Sequence, residues 1–318
     1  MSIEVNNISY VESIAPASTA NFCVGFDFIG ASIANIHDTV ILERRSDNLL
    51  RLIEVSGDES SIRVPLVIEE NITTAVLLKL KNDLNISIGF NVRLKKGIPL
   101  SSGLGGSAAS SVAAVIAFNE FLETKLTLIQ IIKYALYGES IASSTMHADN
   151  ILPSLLGGFI LINSIEHLKY TRLPHLNMHL VIMHPEIEIK TRDARNLLKE
   201  PFHLKDLTLA QQNLSSVIIA LYTNDIVLLR HHMRDELIEP RRRRLIPYFD
   251  EVQSSALNAG AIGCSISGAG PAIFSLVIEN DVTMVANAMK SIYIKKNLKF
   301  SIFKTSLCAP GAMIKTME

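Results

Sequence analysis

The segment best suited to chemistry is Pro99-Leu-Ser-Ser-Gly-Leu-Gly-Gly-Ser-Ala-Ala-Ser110, which reads as a loop between a strand and a helix. Gly103, Gly105 and Gly106 let the backbone turn tightly and approach a ligand without Cβ clashes. The helix that follows offers N–H groups without intrahelical partners and the positive end of its dipole, a natural cradle for phosphate. Small residues that merely let a helix pack closely would read the same way. Two other phosphate loops fail. No Lys follows the glycines, as the P-loop requires. Gly103, Gly105 and Ala108 do satisfy G-x-G-x-x-A, but the dinucleotide unit then needs a second parallel strand ending in an acid that holds the ribose. Here a second helix follows, and Glu120 and Glu123 fall within the first.

Phosphate transfer also needs a divalent metal on hard oxygen ligands and a positioned acceptor hydroxyl. Ser107 sits at the loop–helix junction, where its hydroxyl could reach a metal. Glu139 lies in the helical run YALYGESIAS, beside Gly138 and small residues. It is either a solvated helical glutamate or an inward metal-binding carboxylate. His147-Ala-Asp149-Asn150 crowds three polar groups ahead of an apolar stretch, with a simple helix N-cap as the alternative. Asn21 and Asp27 fall in the turn-forming segment APASTANFCVGFD. A third glycine turn, Gly263–Pro271, either closes over a nucleotide or makes a tight hairpin.

These residues need a mixed scaffold. The runs 38–43 and 49–55 have strand length and composition, and Ile88, Phe90, Val92 and Leu94 mark a period-2 strand. Helices are expected over 71–84, 107–122 and, capped by Thr127, to about residue 143. Strands follow at 158–163 and 178–184, helices near 207–222, 225–237, 247–256 and 281–292, and strands near 300–305 and 312–315. Without regular βαβα alternation the fold class is α+β. The chain of 318 residues suggests two domains, 1–165 and 166–318, divided near 160–175.

With 48% hydrophobic and 19% charged residues a large core can form. The net charge of −1 argues against nucleic-acid or anionic-membrane partners. The absence of Trp makes a stacking platform for single strands improbable. Cys23, Cys264 and Cys308 have no metal or disulfide spacing and suit a reducing cytoplasm. The N-terminus is not read as a signal peptide, and no apolar run reaches about 18 residues, so a cytoplasmic protein is expected. The four-arginine run at 241–244 reads as a solvated helix start.

Taken together, APASTANFCVGFD, PLSSGLGGSAAS and GCSISGAGP, in that order, resemble the three motifs of the GHMP kinases. This family is named for galactokinase, homoserine kinase, mevalonate kinase and phosphomevalonate kinase. Within it the chain is most similar to the homoserine kinases, over residues of about 13 to 275. GES followed by HADN-x-x-P-x-LLGG, T-x-x-AR at Thr191–Arg195 and EPRRRRLIP at Glu239–Pro247 carry that likeness. The resemblance implies a ribosomal-protein-S5-type N-terminal domain joined to a ferredoxin-like C-terminal domain. It also implies ATP and Mg²⁺, L-homoserine as acceptor, and a homodimer. Pro99, Leu100, Ser101, Ser102, Gly103, Leu104, Gly105, Gly106, Ser107 and Ala108 would hold the ATP phosphates, and Ser107 and Glu139 the Mg²⁺. Asn21, Asp27, His147, Asp149, Asn150, Arg195 and Arg242 match positions around homoserine. Asp27 would face its ammonium and the two arginines its carboxylate. Asn150 would lie beside the reacting hydroxyl, making Asn150, Glu139 and Ser107 the catalytic group, with no obligatory side-chain base. Four positions depart from the family pattern. Cys23-Val24 replaces Gly-Pro, Gly106 stands where Ser is usual, and Arg241 replaces an aromatic residue, which leaves Arg241, Arg242 and Arg244 as candidates for the second arginine.

Overall fold

The computed structural model describes residues 4–142, 148–174, 177–189 and 191–318. Its first part runs β1 (Tyr10–Ala20), β2 (Ile29–Arg45), β3 (Leu50–Gly57), α1 (Ile72–Asp83), β4 (Gly89–Lys96), α2 (Gly106–Glu120), α3 (Leu128–Ala142), α4 (Ala148–Leu156), β5 (Phe159–Ser164) and β6 (Lys169–Leu173). Then come β7 (His179–Pro185), α5 (Thr191–Asn196), α6 (Leu204–Thr223), α7 (Ile226–His232), α8 (Glu239–Arg242), α9 (Phe249–Asn258), β8 (Gly263–Ile266), β9 (Ile273–Val277), α10 (Val282–Lys295), β10 (Phe300–Ser306) and β11 (Met313–Met317).

The larger sheet has the order β11-β1-β2-β4-β3, with β5 and β6 continuing from β2. Residues 39–45 of the long β2 pair with β4, and 29–31 pair with β5, so one strand serves both parts. α2 crosses behind this sheet, with α1, α3 and α4 packed around it. Its Ala- and Ser-rich sequence is apolar on every side, and nearly the whole helix from Ala108 to Asn119 is buried, as such a sequence requires. Caps set the neighbouring helices. Asn71 Oδ1 accepts from Thr74 N at 3.3 Å, and Thr127 and Gln130 form a reciprocal capping box with bonds of 2.8 and 3.3 Å.

The smaller sheet has the order β10-β7-β9-β8, every pair antiparallel. With helices between β7 and β8 and between β9 and β10, this is the ferredoxin-like βαββαβ arrangement. Its alternating side chains divide between two cores. Val181, Met183, Ile273 and Val277 pack with Phe249, Val252, Met289 and Tyr293 of α9 and α10. Leu180, Ile182, Phe274 and Leu276 join the main core instead. Phe22, in the turn after β1, bridges the two sheets, its ring 4.4 Å from Phe159 and 5.6 Å from Phe274.

The α+β class therefore holds. Strand membership does not follow a single cut between residues 165 and 166, since β6 pairs with β5, and β11 returns to pair with β1. The returning strand covers what would otherwise be an open sheet edge. No helix among the described residues is long and apolar enough to cross a membrane.

Candidate active site

A cavity of about 440 Å³ opens where the glycine loop, the turn after β1, the start of α4 and the turn after β8 meet. Gly105 is the N-cap of α2 at φ +69°, and no side chain caps the helix. Its first N–H groups are thus left to a ligand. The third glycine turn buttresses this loop. Ser267 Oγ donates to Gly103 O at 2.8 Å, and Ala272 N donates to Ser102 O at 3.0 Å. At Gly103, with φ +82°, a Cβ would lie 2.4 Å from Ser267 O, so only glycine permits the approach. Gly268 and Gly270 also line the cavity.

Of the expected loop residues, Pro99 to Gly103 and Gly105 to Ser107 line the cavity. Leu104 and Ala108 do not, because both side chains lie in the core. Leu104 also uses both its peptide groups internally. Its N donates to Ser102 Oγ at 3.3 Å, and its O accepts from Ser18 N at 3.1 Å.

Beneath the loop lies a buried ion pair that the sequence reading missed. Lys96 Nζ donates to the Asp38 carboxylate, to Gly106 O at 3.1 Å and to Ser110 Oγ at 2.9 Å. Asp38 Oδ1 accepts from Gly97 N and Ile98 N at 3.0 and 3.1 Å, and Oδ2 accepts from Ser110 Oγ at 2.6 Å. Both charges are thus paired and further hydrogen-bonded, the condition under which buried ions are tolerated. A signal was present: Lys96 continues the inward register Phe90, Val92, Leu94, and Asp38 continues that of Val40 and Leu42. An inward charge on an apolar face requires an inward counter-ion.

Ser107 and Glu139 come together as expected, Ser107 Oγ donating to Glu139 Oε2 at 2.7 Å. Glu139 is buried rather than solvated, because Gly138 packs against Ser111 and Val76 and brings α3 close to α2. No group of three or more His, Cys, Asp or Glu suited to a metal occurs among the described residues. A hydroxyl and a carboxylate on the cavity wall are nevertheless hard oxygen donors, the type that suits Mg²⁺ completed by phosphate and water.

At the other end, Asn21, Phe22, Cys23 and Asp27 all have positive φ, a strained turn that only Asn and Asp adopt readily. Asn21 stabilises it twice, accepting from Asp27 N at 3.0 Å and donating to Gly268 O at 2.8 Å. Cys23, buried in this turn, is held at φ +66°. Arg195 Nη2 bonds to Asp27 Oδ1 at 2.8 Å, so the two groups expected at opposite ends of a zwitterion pair with each other. Arg242, almost fully buried, donates to Gly268 O at 3.0 Å, and its Nε has no partner. Burial, with the nearby Arg195 charge, lowers its pKa to about 10, so it remains cationic near neutral pH.

Of the three candidate arginines, Arg242 lines the cavity and the other two do not. Arg241 turns away, donating to Glu200 O and Pro201 O over the Phe202 ring, and Arg244 is exposed. Asp149 is buried with Oδ1 unpartnered, and Asn150 Oδ1 accepts from Ser18 Oγ at 2.9 Å, leaving Nδ2 as a donor. Burial first, then the Asp27 and Glu139 charges, push the Asp149 carboxyl up to about 7. Unpartnered buried polar atoms on a cavity wall point to a ligand that pairs them. His147 lies outside the described residues.

Comparisons with known proteins identify the family and the fold. Residues 71–158 match the GHMP kinases N terminal domain and residues 217–295 the GHMP kinases C terminal domain. A homoserine kinase of Xylella fastidiosa (strain M12) is 39% identical over 303 residues, covering 95% of this chain and 93% of its own length. One from Chlorobium phaeovibrioides is 36% identical, covering 96% of this chain and 99% of its own. The crystal structure of homoserine kinase from Cytophaga hutchinsonii superimposes with a TM-score of 0.90 at 35% identity, covering 97% of this chain and 98% of the other. The fold alone is shared with L. major mevalonate kinase, at a TM-score of 0.72 and 18% identity. With both domains matched and homoserine kinase relatives 36–39% identical over nearly its whole length, the chain belongs to the GHMP kinase family.

Proposed function

We propose that the protein transfers the γ-phosphoryl group of ATP to the side-chain hydroxyl of L-homoserine, giving O-phospho-L-homoserine for threonine biosynthesis. The observation that carries this reading is the charge set around one end of the cavity. Asp27, Arg195 and Arg242 line it together, and Asn150 lines it too, close against Gly105 of the glycine loop. Two cations and a carboxylate fit an acceptor that has both a carboxylate and an ammonium. Binding would exchange the Asp27–Arg195 pair for two new pairs, ammonium on Asp27 and carboxylate on Arg195 and Arg242. The internal pair keeps both charges compensated beforehand, so little is lost by holding them at a partly dry site.

The N-terminus of α2 and the loop backbone would hold the phosphates, and Asn150 Nδ2 would donate beside the acceptor hydroxyl. Mg²⁺, held by Ser107 and Glu139, would neutralise charge on the transferring group. With a loose transition state, positioning and charge neutralisation supply most of the acceleration.

The test is a panel of acceptors scored by ADP release. L-Homoserine should exceed 4-hydroxybutyrate, which lacks the ammonium, and 3-aminopropanol, which lacks the carboxylate. Each missing charge leaves a protein group unpaired, at a cost of about 2–5 kcal/mol, or roughly 30- to 5000-fold in kcat/KM. Similar kcat/KM for all three would remove the zwitterion reading.

A further inference from the structure

α8 is a single helical turn, too short to hold its own conformation. It nevertheless carries Arg242, whose guanidinium must sit within a fraction of an ångström of one place. Two half-buried carboxylates fix it, and neither lines the cavity where substrates are read to bind. Asp235 precedes the turn. Its Oδ1 accepts from Leu237 N and Ile238 N at 2.8 and 2.9 Å, and its Oδ2 from Glu239 N at 2.8 Å. Glu239 opens the turn. Its Oε1 accepts from Gln253 Nε2 of α9 at 2.8 Å, and its Oε2 from Ser265 Oγ of β8. Gln253 spends its second N–H on Cys264 O at 2.8 Å. α8 is thereby tied to β8, and β8 leads directly into the turn bearing Gly268. Gly268 O accepts from both Arg242 and Asn21, using both its lone pairs.

We propose that Asp235 and Glu239 are positioning residues for acceptor recognition, a latch that holds Arg242 on Gly268 and so fixes the carboxylate end of the acceptor site. A purely structural role would lower stability and harm all acceptors alike. A positioning role acts through Arg242, and harms only acceptors that carry a carboxylate.

This inference rests on the proposed acceptor chemistry, and the experiment separates the two. Initial rates are measured with L-homoserine and with 3-aminopropanol for wild type, Glu239→Ala, Glu239→Gln and Arg242→Ala. Thermal unfolding is recorded for each. Arg242→Ala reports on the acceptor reading itself: it should raise the homoserine KM and narrow the preference over 3-aminopropanol. If it does not, that reading fails, whatever Glu239 does. Glu239→Ala should raise the homoserine KM roughly tenfold or more, and change 3-aminopropanol by no more than about twofold, because small misplacements of a binding group have large effects. Glu239→Gln should restore recognition, since its amide can accept from Gln253 and donate to Ser265 Oγ. If Glu239→Ala does not fold, Ser265→Ala cuts the same latch from β8 and should show the same selective rise. An unchanged homoserine KM in the folded variant, or an equal loss for both acceptors, would overturn the latch while leaving the Arg242 assignment intact.

Discussion

Replacing Gly105 by alanine tests the glycine loop through its geometry. Gly105 has φ +69°, and a Cβ built there would lie 2.2 Å from Ser18 Oγ and 2.9 Å from Asn150 Oδ1. The added methyl therefore strikes β1 and α4, so the same contact that limits the loop also displaces the Asn150 amide, proposed above to lie beside the acceptor hydroxyl. A left-handed non-glycine residue costs about 1–2 kcal/mol, and forcing a methyl into a packed site about 1–3 kcal/mol more. Gly105→Ala should lose roughly 2–5 kcal/mol in urea unfolding on that basis. Gly106 is the control. Its φ is not left-handed, and the nearest atoms to a Cβ there are Ile98 Cγ2 at 3.3 Å and Lys96 Nζ at 3.4 Å. Since alanine also favours the helix by about 0.5–1 kcal/mol, Gly106→Ala should stay within about 1 kcal/mol of wild type. Removing the struck hydroxyl in Ser18→Ala/Gly105→Ala should recover part of the loss, as coupled neighbours do. Equal stability and equal ATP affinity for Gly105→Ala and Gly106→Ala would refute the reasoning.

Other perturbations follow from the site. Glu139→Gln keeps the shape beside Ser107 and removes the charge, so kcat should fall by roughly 10²-fold or more; near-normal turnover at saturating Mg²⁺ would remove Glu139 from the metal site. Lys96→Met leaves the Asp38 carboxylate buried without its cation and should cost about 3–5 kcal/mol, read by thermal unfolding, with Asp38→Asn/Lys96→Met recovering much of it. Asp149 has a folded pKa of about 7 against 3.8 for the free side chain. Its contribution to stability is therefore full below about pH 4 and is lost as pH rises through 7. The unfolding free energy of Asp149→Asn, measured relative to wild type, should rise between those limits and level off above them; a flat difference would mean that the carboxyl titrates normally.

Much of the scaffold was legible because its signals are local. The Thr127 cap, the period-2 face of β4 and the small-residue character of α2 each needed only a few neighbouring residues. The glycine loop and the Ser107–Glu139 pair were also within reach, as motif residues of known type. What escaped depends on contacts distant in sequence. The helix expected over 225–237 stops at His232, because Asp235 draws the following backbone into a turn that starts α8. β6 and α5 are short elements whose place is set by packing rather than by pattern. The pairing of Asp27 with Arg195 spans 168 residues, and no spacing rule reveals it. Lys96 and Asp38 were legible in principle, since each breaks an apolar face in the register of its strand, but a two-state pattern of apolar and polar residues hides such breaks.

The most direct measurement is ³¹P NMR of the purified protein incubated with MgATP and L-homoserine. A phosphomonoester resonance matching O-phospho-L-homoserine, growing in step with ADP and absent without homoserine, is the predicted result. ATP conversion to ADP and inorganic phosphate alone, or transfer to 3-aminopropanol as readily as to homoserine, would contradict the assignment of Asp27, Arg195 and Arg242 as a site for a zwitterionic acceptor.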